Sequence, residues 1–251
     1  MKSVGLEFYK LRNKHIFLMI LAFLTVEMLW AFTATQMAIS RNSQHGGWLP
    51  LLMTLASMNG LFLPVLSAIC VSRICDMEHK GNTWKLLLSL SVPRGKLYGA
   101  KYVCAAILML GACVLQVLAV AAFGIVNGFE QRVPFAELLQ FLFGAVLANM
   151  AVIALQQWVS MAIKNQAFAL SLGMIGGFIG MTADLFPVAV RRFLLWSYYT
   201  GMSPVTQSYA DEEIHFVGRS AGELIPTALL LVAVGIVLYT AGSIHVSRQE
   251  V

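Results

Sequence analysis

Residues 102–129 read YVCAAILMLGACVLQVLAVAAFGIVNGF, 28 residues without one Asp, Glu, Lys or Arg. At about 1.5 Å rise per residue, a helix of this length exceeds the roughly 30 Å hydrocarbon core of a bilayer. A membrane strand needs only about 10 residues and alternates in polarity; this run does not alternate. It reads as a transmembrane helix, and the reading repeats along the chain. Residues 16–39 hold a single charge, Glu27, while 48–72, 138–163, 165–183 and 224–244 hold none. The predicted spans lie at about 16–39, 48–72, 98–126, 135–163, 166–187 and 223–245.

Composition agrees. The 251 residues are 59% hydrophobic and 12% charged, about half the charge of a soluble domain. Six spans leave no length for a separate soluble domain. The expected fold is a single all-α, polytopic membrane domain over 1–251. The opening residues are basic, but the apolar run after them is too long for a signal peptide, so the first span is expected to stay as an uncleaved anchor.

Lys and Arg set the orientation. With six spans, one side carries Lys2, Lys10, Arg12, Lys14, Arg73, Lys80, Lys85, Arg94, Lys96, Lys101, Lys164 and Arg248. The other carries Arg41, Arg132, Arg191, Arg192 and Arg219. Twelve against five places both termini in the cytoplasm. The net charge of +5 therefore follows the loops and does not point to nucleic acid. Lys164 and Asn165 must make a tight turn between the fourth and fifth spans.

Outside the spans, Val4, Phe8 and Leu11 recur at helical spacing, with Glu7, Lys10 and Lys14 elsewhere on the helix. This predicts an N-terminal amphipathic helix in the membrane interface. In the connection 73–101, Gly81 breaks the chain, Asn82 or Thr83 can cap a helix, and Pro93 stops it. Residues 83–91 then form a short cytoplasmic helix whose apolar face carries Trp84, Leu87 and Leu88, suited to lipid or to a partner. Residues 186–222 are expected to give a short re-entrant or surface helix followed by an exposed loop.

Chemical motifs are sparse. There is no phosphate loop, no His-Glu-x-x-His pair and no Ser, His and acid set. The five His residues are scattered, and Cys70, Cys75, Cys104 and Cys113 read as small apolar residues. Within the spans, Glu27 stands out, because an ionised carboxylate at mid-membrane costs at least a few kcal/mol. It reads as a polar point on a substrate path, as a partner for a cation across a dimer interface, or as a protonated or hydrogen-bonded acid facing a neighbouring helix. Asn149, Gln156 and Gln157 suit interhelical hydrogen bonds, and Gly173/Gly177 and Gly176/Gly180 suit close helix approach. Asp184 is expected at the interface.

The stretch Arg73-Ile-Cys-Asp76-Met-Glu78-His-Lys-Gly81-Asn-Thr83-Trp84-Lys85-Leu-Leu87-Leu88-Ser-Leu-Ser-Val-Pro93-Arg94 resembles the coupling-helix region of type-2 ABC exporter permeases. Those subunits carry an acidic residue, a Gly-Thr step, a leucine-rich helix, then Pro and Arg, and a Lys opening the third span. The six spans, N-terminal helix and outer re-entrant segment match as well. The branch most resembled is the small permeases of lantibiotic-immunity transporters, whose openings resemble Glu7-Phe-Tyr-Lys10-Leu-Arg12. Leu195-Trp196-Ser197-Tyr198 resembles a Pro-Trp patch of that branch, with the Pro missing.

The resemblance implies a bacterial cell-membrane permease subunit with no catalytic residues, cofactor or metal of its own. ATP and Mg would sit on separate cytoplasmic ABC ATPase subunits. A second permease, identical or paralogous, would complete a pathway for amphipathic antimicrobial peptides. The ATPase contact would comprise Asp76, Glu78, Gly81, Thr83, Trp84, Lys85, Leu87 and Leu88, with Glu27 on the substrate path. The alternatives are a permease for another drug or ion, a non-transporting membrane scaffold or assembly subunit, and, more remotely, an intramembrane enzyme.

Overall fold

A computed structural model describes residues 2–41, 46–80, 93–129, 132–163, 165–210 and 213–248. The chain opens with helix α1 (Lys2–Leu11) and a 3-10 turn at Arg12–Lys14. His15 then takes φ 53°, a left-handed conformation uncommon outside Gly. That kink separates α1 from the first long helix, α2 (Ile16–Arg41). Helices α3 (Trp48–Lys80), α4 (Arg94–Val126), α5 (Phe135–Ala162) and α6 (Gln166–Met181) follow in alternating directions. The short helices α7 (Val188–Arg191) and α8 (Tyr198–Gly201), a hairpin of β1 (Val205–Ala210) and β2 (Glu213–Gly218), and helix α9 (Ala221–Arg248) complete it.

Among the described residues, five helices, α2 to α5 and α9, are long and apolar enough to cross a membrane. The predicted fifth span, 166–187, is shorter than expected. Its helix α6 has 16 residues and ends at Met181, about 24 Å of rise. Beyond it lie a 3-10 turn at Ala183–Leu185 and Pro187, whose missing N–H and fixed φ do not continue a helix. The third helix starts earlier than its charge-free run, at Arg94, so Lys96 and Lys101 are helical.

Helix α3 is central: 67% of its apolar window is buried, against 11% for α9. The glycines of α6 lie against it. A side chain at Gly177 would meet the Leu61 carbonyl at 2.8 Å, and one at Gly60 would meet the Gly180 carbonyl oxygen at 2.7 Å. Pro64 lies within α3 and has no N–H, so the Gly60 carbonyl lacks its intrahelical donor. That carbonyl faces Gly180 instead, a backbone contact of the Cα–H type. The small-residue spacing thus serves packing within the chain, as its pattern predicts.

The all-α expectation needs one amendment. Where an exposed loop was expected, β1 and β2 pair antiparallel, with Val205 opposite Gly218 and Tyr209 opposite Ile214. Val205 is buried at the hairpin's base, among Leu51, Leu138 and Phe141.

Candidate functional site

Glu27 lies near the middle of α2 and is fully buried. Neither carboxyl oxygen has a hydrogen-bond partner among the described residues. Gln116 of α4 lies beside it; one N–H of the Gln116 amide donates to Asn59 Oδ1 on α3 at 2.6 Å, which leaves its second N–H for the carboxyl. Glu27 also lies within electrostatic reach of Cys113 and Tyr199. Those two belong to a hydrogen-bonded group around Asn149 of α5. Ser67 Oγ of α3 and Tyr199 OH of α8 donate to Asn149 Oδ1 at 3.1 and 2.8 Å. Asn149 Nδ2 donates to Cys113 Sγ at 3.3 Å. One polar cluster therefore joins α2, α3, α4, α5 and the segment carrying α8, inside an otherwise apolar bundle.

Tyr199 reaches that depth because the segment after α6 folds back into the bundle. Trp196 packs on the bare faces of Gly176 and Gly180. Met202 fills the place a side chain at Gly144 would take, its carbonyl oxygen 2.6 Å from that position. Ser197 Oγ donates to the Arg191 and Leu194 carbonyls at 2.7 Å each. Arg191 Nη2 meets Asp184 Oδ1 at 2.8 Å and donates to Thr200 Oγ1 at 3.3 Å. Arg219 donates to the Gly201 carbonyl at 3.1 Å. Burial, then Arg191, hold the Arg219 guanidinium below its ordinary value; Asp184 and Glu223 oppose this.

The second place of interest is the end of the bundle where α1 starts and α9 finishes. Lys101, counted as a loop charge from sequence, is fully buried on α4. Its Nζ lies 2.9 Å from Glu7 Oε2 and donates to the Ile74 carbonyl, also at 2.9 Å. Glu7 takes a second cation, Lys10, at 3.0 Å. The face of α1 carrying Leu11 and Phe8 packs on the protein core, and Glu7, expected away from that face, is buried. This pin joins α1, α3 and α4 where the chain leaves α3 and re-enters α4.

Of the residues expected to contact an ATPase, Asp76 lies on the last turns of α3, half-buried. Glu78 belongs to α3 by backbone, and its side chain lies outside the described residues. Gly81, Thr83, Trp84, Lys85, Leu87 and Leu88, with the whole of 83–91, also lie outside them. The structure thus fixes the two anchors of the segment, α3 and Pro93, without its interior.

Two of the polar span residues act as expected. Gln157 donates to the Tyr98 carbonyl of α4 at 2.8 Å. Gln156, its amide turned to donate to the Ala169 carbonyl at 3.1 Å, also accepts from Gly173 N at 3.2 Å. All four cysteines are buried and none is in a disulfide. Among the described residues no three His, Cys, Asp or Glu converge as a metal site would require.

A family described as ABC-2 family transporter protein matches residues 3–180, more than two thirds of the chain. No curated protein matches the chain.

Proposed function

The chain belongs to the ABC-2 family of transporter proteins and is a multi-pass membrane permease subunit of an ABC transporter; we propose that it works as an exporter of amphipathic antimicrobial peptides. In this reading it is the lantibiotic-immunity type of permease, in a bacterial cell membrane, with six spans and both termini in the cytoplasm. It pairs with a second permease, identical or paralogous, and with ABC ATPase subunits that are separate chains and carry ATP and Mg.

The connection 73–101 carries the reading. It is the longest connection on the side rich in Lys and Arg, in a chain without a phosphate loop. Its apolar positions Trp84, Leu87 and Leu88 suit a groove on a partner, with Asp76 and Glu78 available to basic residues there. Burying the Trp and two Leu would contribute roughly 1.5–3 kcal/mol each before association costs. The Glu7–Lys101 pin supports this role, because it braces both helices that the segment joins.

Trp84→Ala with Leu87→Ala should leave the permease in the membrane but release the ATPase on detergent extraction, with loss of peptide resistance. Retention of the ATPase with full resistance sinks the docking role. An intact complex that changes susceptibility to no antimicrobial peptide sinks the cargo assignment and leaves the permease assignment standing.

A further inference from the structure

Past Met181 the helix ends, but the chain stays apolar on its outward side. Leu185 is 83% and Phe193 90% exposed, and Val188 and Val190 between them are exposed too. The turn is held from behind: the Tyr198 hydroxyl donates to the Arg192 carbonyl at 2.8 Å, and Asp184 pairs with Arg191 at 2.8 Å. These apolar side chains therefore face outward from a structured turn. A cluster of that kind marks a contact surface.

What covers it follows from its depth. Ser160 Oγ of α5 donates to Gln166 Oε1 of α6 at 2.7 Å, so α6 starts beside the end of α5. The 28 residues of α5 rise about 42 Å, and the 16 of α6 about 24 Å. Against roughly 30 Å of hydrocarbon, an α6 that starts at one boundary ends about 6 Å short of the other. The turn after it thus lies at a level that α5 still spans. Leu185 also prolongs the outward strip of Ile175, Phe178 and Met181 on α6, all exposed and at helical spacing. Charge completes the match. Arg191 is committed to Asp184 and Thr200, whereas Arg192 is exposed beside Phe193. Acyl chains suit the apolar side chains, and a phosphate suits the guanidinium.

We infer that residues 184–193 form a membrane anchor, with Leu185, Val188 and Phe193 among acyl chains and the Arg192 guanidinium on a phospholipid phosphate. The anchor completes the crossing that α6 leaves short. It requires only the membrane location of the chain, not the export of peptides.

The test adds one thiol, Leu185→Cys or Phe193→Cys, to the full chain. The four native cysteines are buried and stay unlabelled while the bundle is folded; the unsubstituted protein is the labelling blank. Both positions are exposed, so neither change empties the core. An environment-sensitive fluorophore on the added thiol is read in vesicles of phosphatidylcholine and phosphatidylglycerol. Lipid brominated on its acyl chains should quench most of the emission, and aqueous iodide should quench little. Strong iodide quenching without lipid quenching would put the turn in water and overturn the anchor. Protection from both quenchers would mean that protein, such as a second copy of the chain, covers the turn, which overturns it equally.

The phosphate contact is read in detergent, with the label at position 185. Short-chain phosphatidylglycerol brominated on its acyl chains is titrated in parallel with brominated diacylglycerol, which lacks the phosphate. Arg192→Gln should raise the phosphatidylglycerol concentration for half-quenching about fivefold and leave the diacylglycerol curve in place. An unchanged phosphatidylglycerol curve overturns the role of Arg192.

Discussion

Replacing Lys101 with Met removes the positive member of the pin and keeps most of the side-chain volume. Lys101 is fully buried and Glu7 is 2% exposed, so water screens the pair little. Breaking a buried pair typically costs about 3–5 kcal/mol, most of it from the charge left behind. Here Glu7 retains Lys10 at 3.0 Å, whose side chain is 37% exposed, which favours the lower half of that range. The Ile74 carbonyl also loses its donor. A midpoint shift of about 2–4 °C per kcal/mol applies at this chain length, so the expected loss is roughly 6–16 °C. Glu7→Gln keeps a hydrogen-bond acceptor for Lys101 but takes the carboxylate from a fully buried ammonium, so it should cost at least as much, about 3–5 kcal/mol. Glu7→Leu with Lys101→Met should cost less than the sum of its single changes, because neither charge is then stranded. Cysteine-reactive thermal unfolding of the purified chain reads all of these. A Lys101→Met midpoint within about 2 °C of wild type, or strict additivity in the double variant, would refute the buried pair as a brace.

Other expectations follow from contacts of the same kind. Gly60→Ala should destabilise by about 1–3 kcal/mol or more, since its new methyl would lie 2.6 Å from the Gly180 carbonyl carbon; Gly111→Ala, with nothing within 4 Å, should be neutral or slightly stabilising in the same unfolding assay. Tyr199→Phe removes one donor from Asn149 Oδ1 while Ser67 still donates, so its cost should stay near 1 kcal/mol. Arg191→Ala should cost less than about 1 kcal/mol through its half-exposed pair with Asp184, and a larger loss would mean that the Thr200 contact holds the re-entrant turn. In the proposed topology, single cysteines at Arg219 but not at Lys85 should react with an impermeant reagent in intact cells, in a background lacking the native thiols.

The five long helices were legible because charge stops where lipid starts. The end of α6 was only partly legible: the charge-free run stops at Asp184, three residues past Met181, and the uncharged Leu185 and Phe186 beyond it extend the predicted span to 187. Lys101 was misread for the opposite reason: a cation at a span boundary looks like a loop charge until its acid is known, and Glu7 lies 94 positions away. Tyr199 sits in an aromatic patch whose composition suits the membrane surface. Its burial depends on Asn149 and Cys113, which belong to other helices. The hairpin did leave a signal. Val205, Thr206 and Tyr209, then Ile214, Phe216 and Val217, are β-branched or aromatic and flank a short polar turn. Glu27 was visible as a misplaced charge; that Gln116, Cys113 and Tyr199 are its neighbours is a fact of the packing alone.

The polar cluster and the pin share two helices. Helix α3 supplies Asn59 and Ser67 to the cluster and the Ile74 carbonyl to the pin. Helix α4 supplies Gln116 and Cys113 to the first and Lys101 to the second. The segment 81–92 leaves one and enters the other, so a displacement applied to it reaches α3 and α4 together through the covalent chain. Lys101 and Gln116 are 15 residues apart on one continuous helix, about 22 Å along its axis. A helix transmits a tilt over that distance with little internal deformation, because bending it means opening its hydrogen bonds. The pin keeps α1 moving with the pair. The Gln116–Asn59 hydrogen bond crosses between the same two helices, beside Glu27, so relative motion of α3 and α4 changes the partners available to the carboxylate. A force at one end of the bundle thus has a physical route to Glu27.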